Sequence, residues 1–264
     1  MIGPTVSTTP TPANPPRVAP PPGPVLFGRY AYGPNRLGYC GPDEPRALLE
    51  YAAAGADHRG LRELARGFEG AYPYLELIAA ANGIADPLDR SVVEAYWLGN
   101  RLTDAVRTGA MHRSVEDRFR ERLAPPSWRW LEAAVVAGAR PVHAFHVLDV
   151  LPRVGLLRGG AVDEVLRTID SCRIRWGQVE AVVGDSLLVS VVPLELSDGR
   201  LRLAEPRVEM VSRWLGGTGF VDGVEPGDMI AIHWNWACDR LSARRLRQLV
   251  AWTRLALRVA NRAV

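Results

Sequence analysis

The side chains best suited to metal or nucleophilic chemistry are three cysteines and five histidines. Cys172 opens the stretch CRIRWGQVEAVV, and His233 closes DMIAIH. If these stretches are the first and last strands of one small barrel, their ends can meet in space. A thiolate beside an imidazole is a soft pair competent for iron or zinc, although two ligands alone do not complete a site. Taken singly, a cysteine at a strand start is more often a small buried hydrophobe, and a histidine at a strand end is more often structural.

A second group lies upstream. In LGYCGPDEP, Tyr39 and Cys40 sit in a glycine- and proline-bounded turn just before a helix start. A thiol there has its pKa lowered by the helix N-terminus, unless it is a structural cysteine. In HAFHV, His143 and His146 stand at i and i+3 on one helical face, a spacing that can ligate metal. Core-facing histidines with ordinary hydrogen bonds give the same pattern. Glu69, Glu76 and Glu94 lie on otherwise apolar helices, where pairing with Arg66 or Arg90 is the simplest role. The chain has no P-loop, no GxGxxG after a strand, no HExxH and no nucleophile elbow.

These residues need elements to position them. The first 24 residues carry nine prolines and read as an extended, disordered tail covering residues 1–25. From residue 26 to 169 the apolar period is near 3.6. Helices are expected at EPRALLEYAAAG, HRGLRELARGF, AYPYLELIAAANG, SVEDRFRERL, SWRWLEAAVVAG, VHAFHVLDVL and VDEVLRTID. Another is expected at DPLDRSVVEAYWLGN, with Asp86 as its cap. After Asp170 the period becomes two. Gly184-Asp185 and Asp198-Gly199 supply hairpin turns. Residues 170–264 then read as a small antiparallel β-barrel followed by a C-terminal helix. That helix carries Arg244, Arg245, Arg247, Arg254, Arg258 and Arg262, expected to be solvated while its leucines pack on the barrel. The fold class is α+β, an all-helical N-terminal domain followed by the barrel.

Composition narrows the function classes. The chain has 264 residues, 47% hydrophobic and 23% charged, enough for a large core. Its net charge of +3 is too mild for a dedicated nucleic-acid protein. No window is long and apolar enough for a membrane span, and the N-terminus has no signal-peptide pattern. With unpaired cysteines, this fits a cytoplasmic protein.

CRIRWGQVEAVVGDSLLVSVV and VEPGDMIAIHWNWACDRLSARRL resemble the two signatures of the HypC/HupF family of [NiFe]-hydrogenase maturation chaperones. The resemblance rests on Cys172, Gly177, Gly227, Asp228 and His233 in order, over roughly residues 171–260. It implies a HypC-like, OB-like barrel. In that family the cysteine helps hold an iron carrying cyanide and carbonyl ligands, jointly with a partner protein, and the histidine lies close by. Here Cys172 is internal rather than N-terminal, and Trp176 stands where the family has proline. The whole chain, on segments such as FGRYAYGPNRLGYCGPDEP, also resembles an uncharacterised family of actinobacterial proteins.

The resemblance implies an accessory protein rather than an enzyme, acting in assembly of a [NiFe]-hydrogenase or related metalloenzyme. Its partners would be the hydrogenase large subunit or maturation factors. No cofactor would be held stably, only transient iron at Cys172 with His233 beside it. Trp176, Trp234 and Trp236 would form the docking surface. The alternatives are an enzyme whose active site lies in the helical part around Tyr39, Cys40, His143 and His146, or a metal-free interaction module.

Overall fold

The computed structural model describes residues 20–154 and 161–262. The expected tail falls outside the described residues as far as residue 19. The first helix, α1 (Gly23–Asn35), begins inside the expected tail and is buried along almost its whole length. Its sequence, GPVLFGRYAYGPN, carries three glycines and two prolines and reads poorly as a helix. Burial on all sides outweighs that propensity. Val25, Leu26, Phe27, Tyr30 and Ala31 are all fully inaccessible to solvent.

Around α1 pack α2 (Pro45–Ala54), α3 (Arg59–Arg66) and α5 (Arg90–Leu98), and α4 (Tyr72–Ala81) packs on α5. Then come α6 (Thr108–Phe119) and α7 (Pro125–Val136). Helix α2 ends on Gly55 in the left-handed conformation, as its sequence predicts. Helix α5 is capped by Asp89, whose side chain accepts from the Ser91 amide, and not by Asp86. Asp86 instead accepts from the Leu88 amide and from Arg62.

The next helical stretch is three joined pieces: α8 (His143–Phe145), a π-helical turn (His146–Val150) and α9 (Leu151–Val154). Helix α10 (Val162–Cys172) follows. Cys172 is therefore the last residue of a helix, not the first of a strand. Asp170 fixes this end by accepting from Arg173 Nε at 2.8 Å and from the Leu194 amide at 3.0 Å. The expected domain boundaries, after residues 25 and 169, both fall inside helices.

The strands are β1 (Arg175–Val183), β2 (Ser186–Val191), β3 (Leu194–Ser197), β4 (Arg200–Leu203) and β5 (Arg207–Ser212). They continue with β6 (Trp214–Leu215), β7 (Thr218–Gly219), β8 (Met229–His233) and β9 (Trp236–Arg240). Five form one sheet in the order β1-β2-β5-β9-β8, and β8 pairs back to β1, so the sheet closes on itself as a barrel. The pairing is not wholly antiparallel, because β5 meets β9 in parallel at Ser212 and Trp236. Strand β9 is not apparent in the sequence, where His233 reads as the end of the last strand. Both expected hairpin turns form, with Gly184, Asp198 and Gly199 at positive φ.

The last helix, α11 (Ala243–Arg262), packs on α5, α7, α8 and on β4 of the separate β3-β4 sheet, more than on the expected barrel strands. Arg245 corrects the expectation of solvated arginines. It is buried, 2.6 Å from Asp239 and 3.2 Å from Glu94. Glu94 also pairs with Arg90 and Arg244. Helices and strands share one core, in which α1 residues join Ile174, Trp176, Ala231 and Trp236.

Candidate metal centre

His233 is held from the helical side. Pro34 lies inside α1 and has no amide hydrogen, so the Tyr30 carbonyl lacks its helical donor. His233 Nδ1 takes that place, donating to the Tyr30 oxygen at 2.6 Å. Close approach needs Gly33, since a Cβ there would collide with the His233 carbonyl. A carbonyl only accepts, so Nδ1 carries the hydrogen and Nε2 keeps its lone pair. That Nε2 is buried, with no hydrogen-bond partner among the described residues.

The turn after His233 brings in the cysteine. Trp234 and Asn235 link β8 to β9 as a two-residue turn, both at positive φ (47° and 59°). The Trp234 amide donates to the Ser171 carbonyl at 2.9 Å, tying the turn to the end of α10. The neighbouring Cys172 carbonyl, freed by the helix end, accepts from His143 Nε2 at 2.8 Å. His143 Nδ1 is left as an acceptor, 3.1 Å from the Tyr96 hydroxyl. One donor atom from each of His143, Cys172 and His233 then lies within 4.8 Å of the others.

The protonation states follow from burial. Burial lowers His143 to about 4, against the pull of its bond to the Cys172 carbonyl. Burial, then the nearby His143, lowers His233 well below the usual imidazole range. Burial pushes the Cys172 thiol up to about 12, opposed by the Trp234 indole. These shifts disfavour a thiolate–imidazolium pair, the activated state of a cysteine nucleophile. Two neutral imidazoles oriented by backbone carbonyls suit a metal, which on binding would displace the thiol proton and take the His143 Nδ1 lone pair from the Tyr96 hydroxyl.

The three residues line a cavity of about 420 Å³ between helices and barrel. Its walls include Phe68, Tyr96, Trp97 and Ile169. Tyr39 and Trp234 stack at its exposed rim, ring centres 3.9 Å apart. Cys40 and His146 line the same cavity. The two candidate groups of the sequence, Cys172 with His233 and the helical set, are therefore one site. Within it His143 belongs with Cys172, while His146 turns toward Tyr74.

Two expectations fail. Trp176 and Trp236 are buried in the shared core and form no docking surface; only Trp234 reaches the pocket. Strand alternation points the other two indoles away from the barrel interior, onto the helices that cover them. Cys40 is exposed at the rim, yet the surrounding walls and nearby Cys172 push its thiol up, to about 12, rather than down. The sequence reading also misses Tyr96, Trp97 and the role of Pro34. A proline inside an otherwise buried helix was the available signal.

The match to a protein family extends over helices and strands alike, from residue 19 to residue 264. The chain belongs to DUF6390, a family of unknown function. Neither a curated protein nor a solved structure matches it. The DUF6390 match takes in every residue of the centre, whereas the HypC/HupF resemblance covers only Cys172 and His233 and gains no match of its own. No described helix of this DUF6390 chain is long and apolar enough to cross a membrane.

Proposed function

We propose that this chain binds a divalent transition metal, zinc or iron, through His143, Cys172 and His233, and uses it on a small molecule in the adjoining cavity. The observation that carries this reading is the convergence of three soft donors within 4.8 Å, with each imidazole fixed by a backbone carbonyl. Three protein ligands leave a coordination position for water or substrate, the arrangement of catalytic rather than structural zinc. The buried histidines favour a contained site over one that hands its metal across a surface.

The test is metal analysis of anaerobically purified protein, followed by cobalt substitution. Stoichiometric metal and a thiolate-to-cobalt charge-transfer band, both lost in Cys172→Ala, are expected. A chain that takes up no metal and gives no band refutes the reading.

A second reading is an accessory role in assembly of a [NiFe]-hydrogenase or related metalloenzyme, through transient iron. What supports it is that Cys172 and His233, the residues carrying the HypC/HupF resemblance, are neighbours, with Cys172 only partly buried. It predicts cyanide and carbonyl infrared bands that disappear in Cys172→Ala, and recovery of a hydrogenase large subunit or maturation factor in a pull-down.

A further inference from the structure

The ligand of this pocket can be narrowed by charge. A divalent ion bound by one thiolate and two neutral imidazoles keeps one positive charge. No arginine lines the cavity among the described residues, and the chain contains no lysine. The one carboxylate in the lining, Glu69, stands exposed at the rim. An uncompensated charge against aromatic walls is costly, so the bound molecule is expected to cancel it.

Hydrogen bonding points the same way. The Trp97 indole N–H is buried and without a partner among the described residues, while that of Trp234 is buried with only the Cys172 thiol to face, and both residues line the cavity. Trp97 is only 4% exposed, and its ring lies 4.7 Å from that of His143. Unsatisfied buried donors are rare in folded proteins. Here they flank the proposed metal ligands, where an anionic oxygen could accept from them.

Backbone strain adds a third observation. Trp234 occupies the left-handed region at φ 47°, in a turn where Asn-Gly is the favoured pair. A bulky side chain there is strained. The conformation sets its indole on Tyr39 at the pocket rim. Strain retained beside a cavity is a pointer to function.

We propose that the pocket binds a small aromatic carboxylate, its ring among Phe68, Tyr96, Trp97 and Trp234 and its carboxylate on the metal, accepting from the two indoles. A cavity of about 420 Å³ accommodates a molecule of one or two rings. This proposal rests on the metal reading above, and the test separates the two.

The experiment titrates the cobalt-loaded full chain with benzoate, benzamide and acetate, following the cobalt d–d bands and tryptophan fluorescence. A thiolate-to-cobalt band before any ligand is added establishes the metal; its absence defeats the metal reading and this one with it. With the metal present, benzoate shifts the d–d bands saturably. It binds at least about tenfold more tightly than neutral benzamide, than ringless acetate, or than benzoate does to metal-free protein. Trp234→Phe weakens benzoate about tenfold or more, and Trp97→Phe does the same if it folds. Equal affinity for benzoate and benzamide, or for benzoate and acetate, overturns the proposal while leaving the metal in place. So does an unchanged d–d spectrum, or a Trp234→Phe variant that binds benzoate as tightly as the parent.

Discussion

The barrel interior and the seam between barrel and helices are both buried, yet they are built from different chemistry. The interior is aliphatic: Val179, Leu187, Val189, Val191, Val211, Ile230 and Ile232 fill it, with no polar side chain among them. The seam is aromatic and polar. It holds three histidines, two cysteines, and buried polar atoms on Tyr30, Trp97 and His233 that lack partners. An interior that only has to hold together can be filled with aliphatic side chains in favourable rotamers. A seam that leaves polar groups unpaired gives up stability locally, and a bound ligand is the ordinary reason.

Substitutions in the two regions should separate stability from binding. The largest effect is expected at the seam. Cys172→Ala abolishes metal uptake, as read by metal analysis and the loss of thiolate-to-cobalt absorption, while thermal unfolding changes little. If Cys172→Ala unfolds the protein, the cysteine is core packing and the comparison fails. Next comes the interior: Leu187→Ala costs about 2–5 kcal/mol in denaturant unfolding by leaving a cavity, without changing metal stoichiometry.

Acid acts on the seam through its histidines. His143 titrates at 6.5 when unfolded but is held near 4 in the folded chain, so unfolded protein binds more protons between those values. The His143 contribution to the stability of the metal-free protein should therefore be full above pH 6.5 and fall as pH drops toward about 4, against an opposite contribution from buried Asp149, held near 7. His233 is shifted in the same direction as His143 and adds to its slope. Denaturant midpoints across this range check the sign, and His143→Phe should flatten the curve. Metal affinity runs with the thiol, rising with pH because a group held near 12 must lose its proton to bind. The smallest effect lies in the turn. Asn235→Gly should stabilise by up to about 1 kcal/mol, because the left-handed φ there suits glycine.

Much of this contrast was legible in the sequence. The alternation of β2 and the turns at Gly184-Asp185 and Asp198-Gly199 follow from local rules and form as expected. Cys172 and His233 stand out because a thiol and an imidazole at the edges of apolar runs are unusual. The site as a whole was not legible, for three physical reasons. Helix α1 contradicts its own propensity and exists because it is buried, which no local window reports. His143 reads as a partner of His146 by i, i+3 spacing, yet its contacts are made across the seam. The burial of Trp176 and Trp236 against the helices rather than at a surface depends on helical packing and on β9, which the conspicuous histidine before it obscures.

The bond from His233 to the Tyr30 carbonyl joins residues 203 positions apart. During synthesis, the strand that completes the pocket follows α1 by roughly 10–40 s at ordinary elongation rates. Until then α1 has an unsatisfied carbonyl and an uncovered apolar surface, and the donors of the centre cannot be together. The centre is thus among the last features a growing chain can assemble. A metal bound at all three donors would report that the polypeptide has been made through its final hairpin, and a prematurely terminated chain could not acquire it.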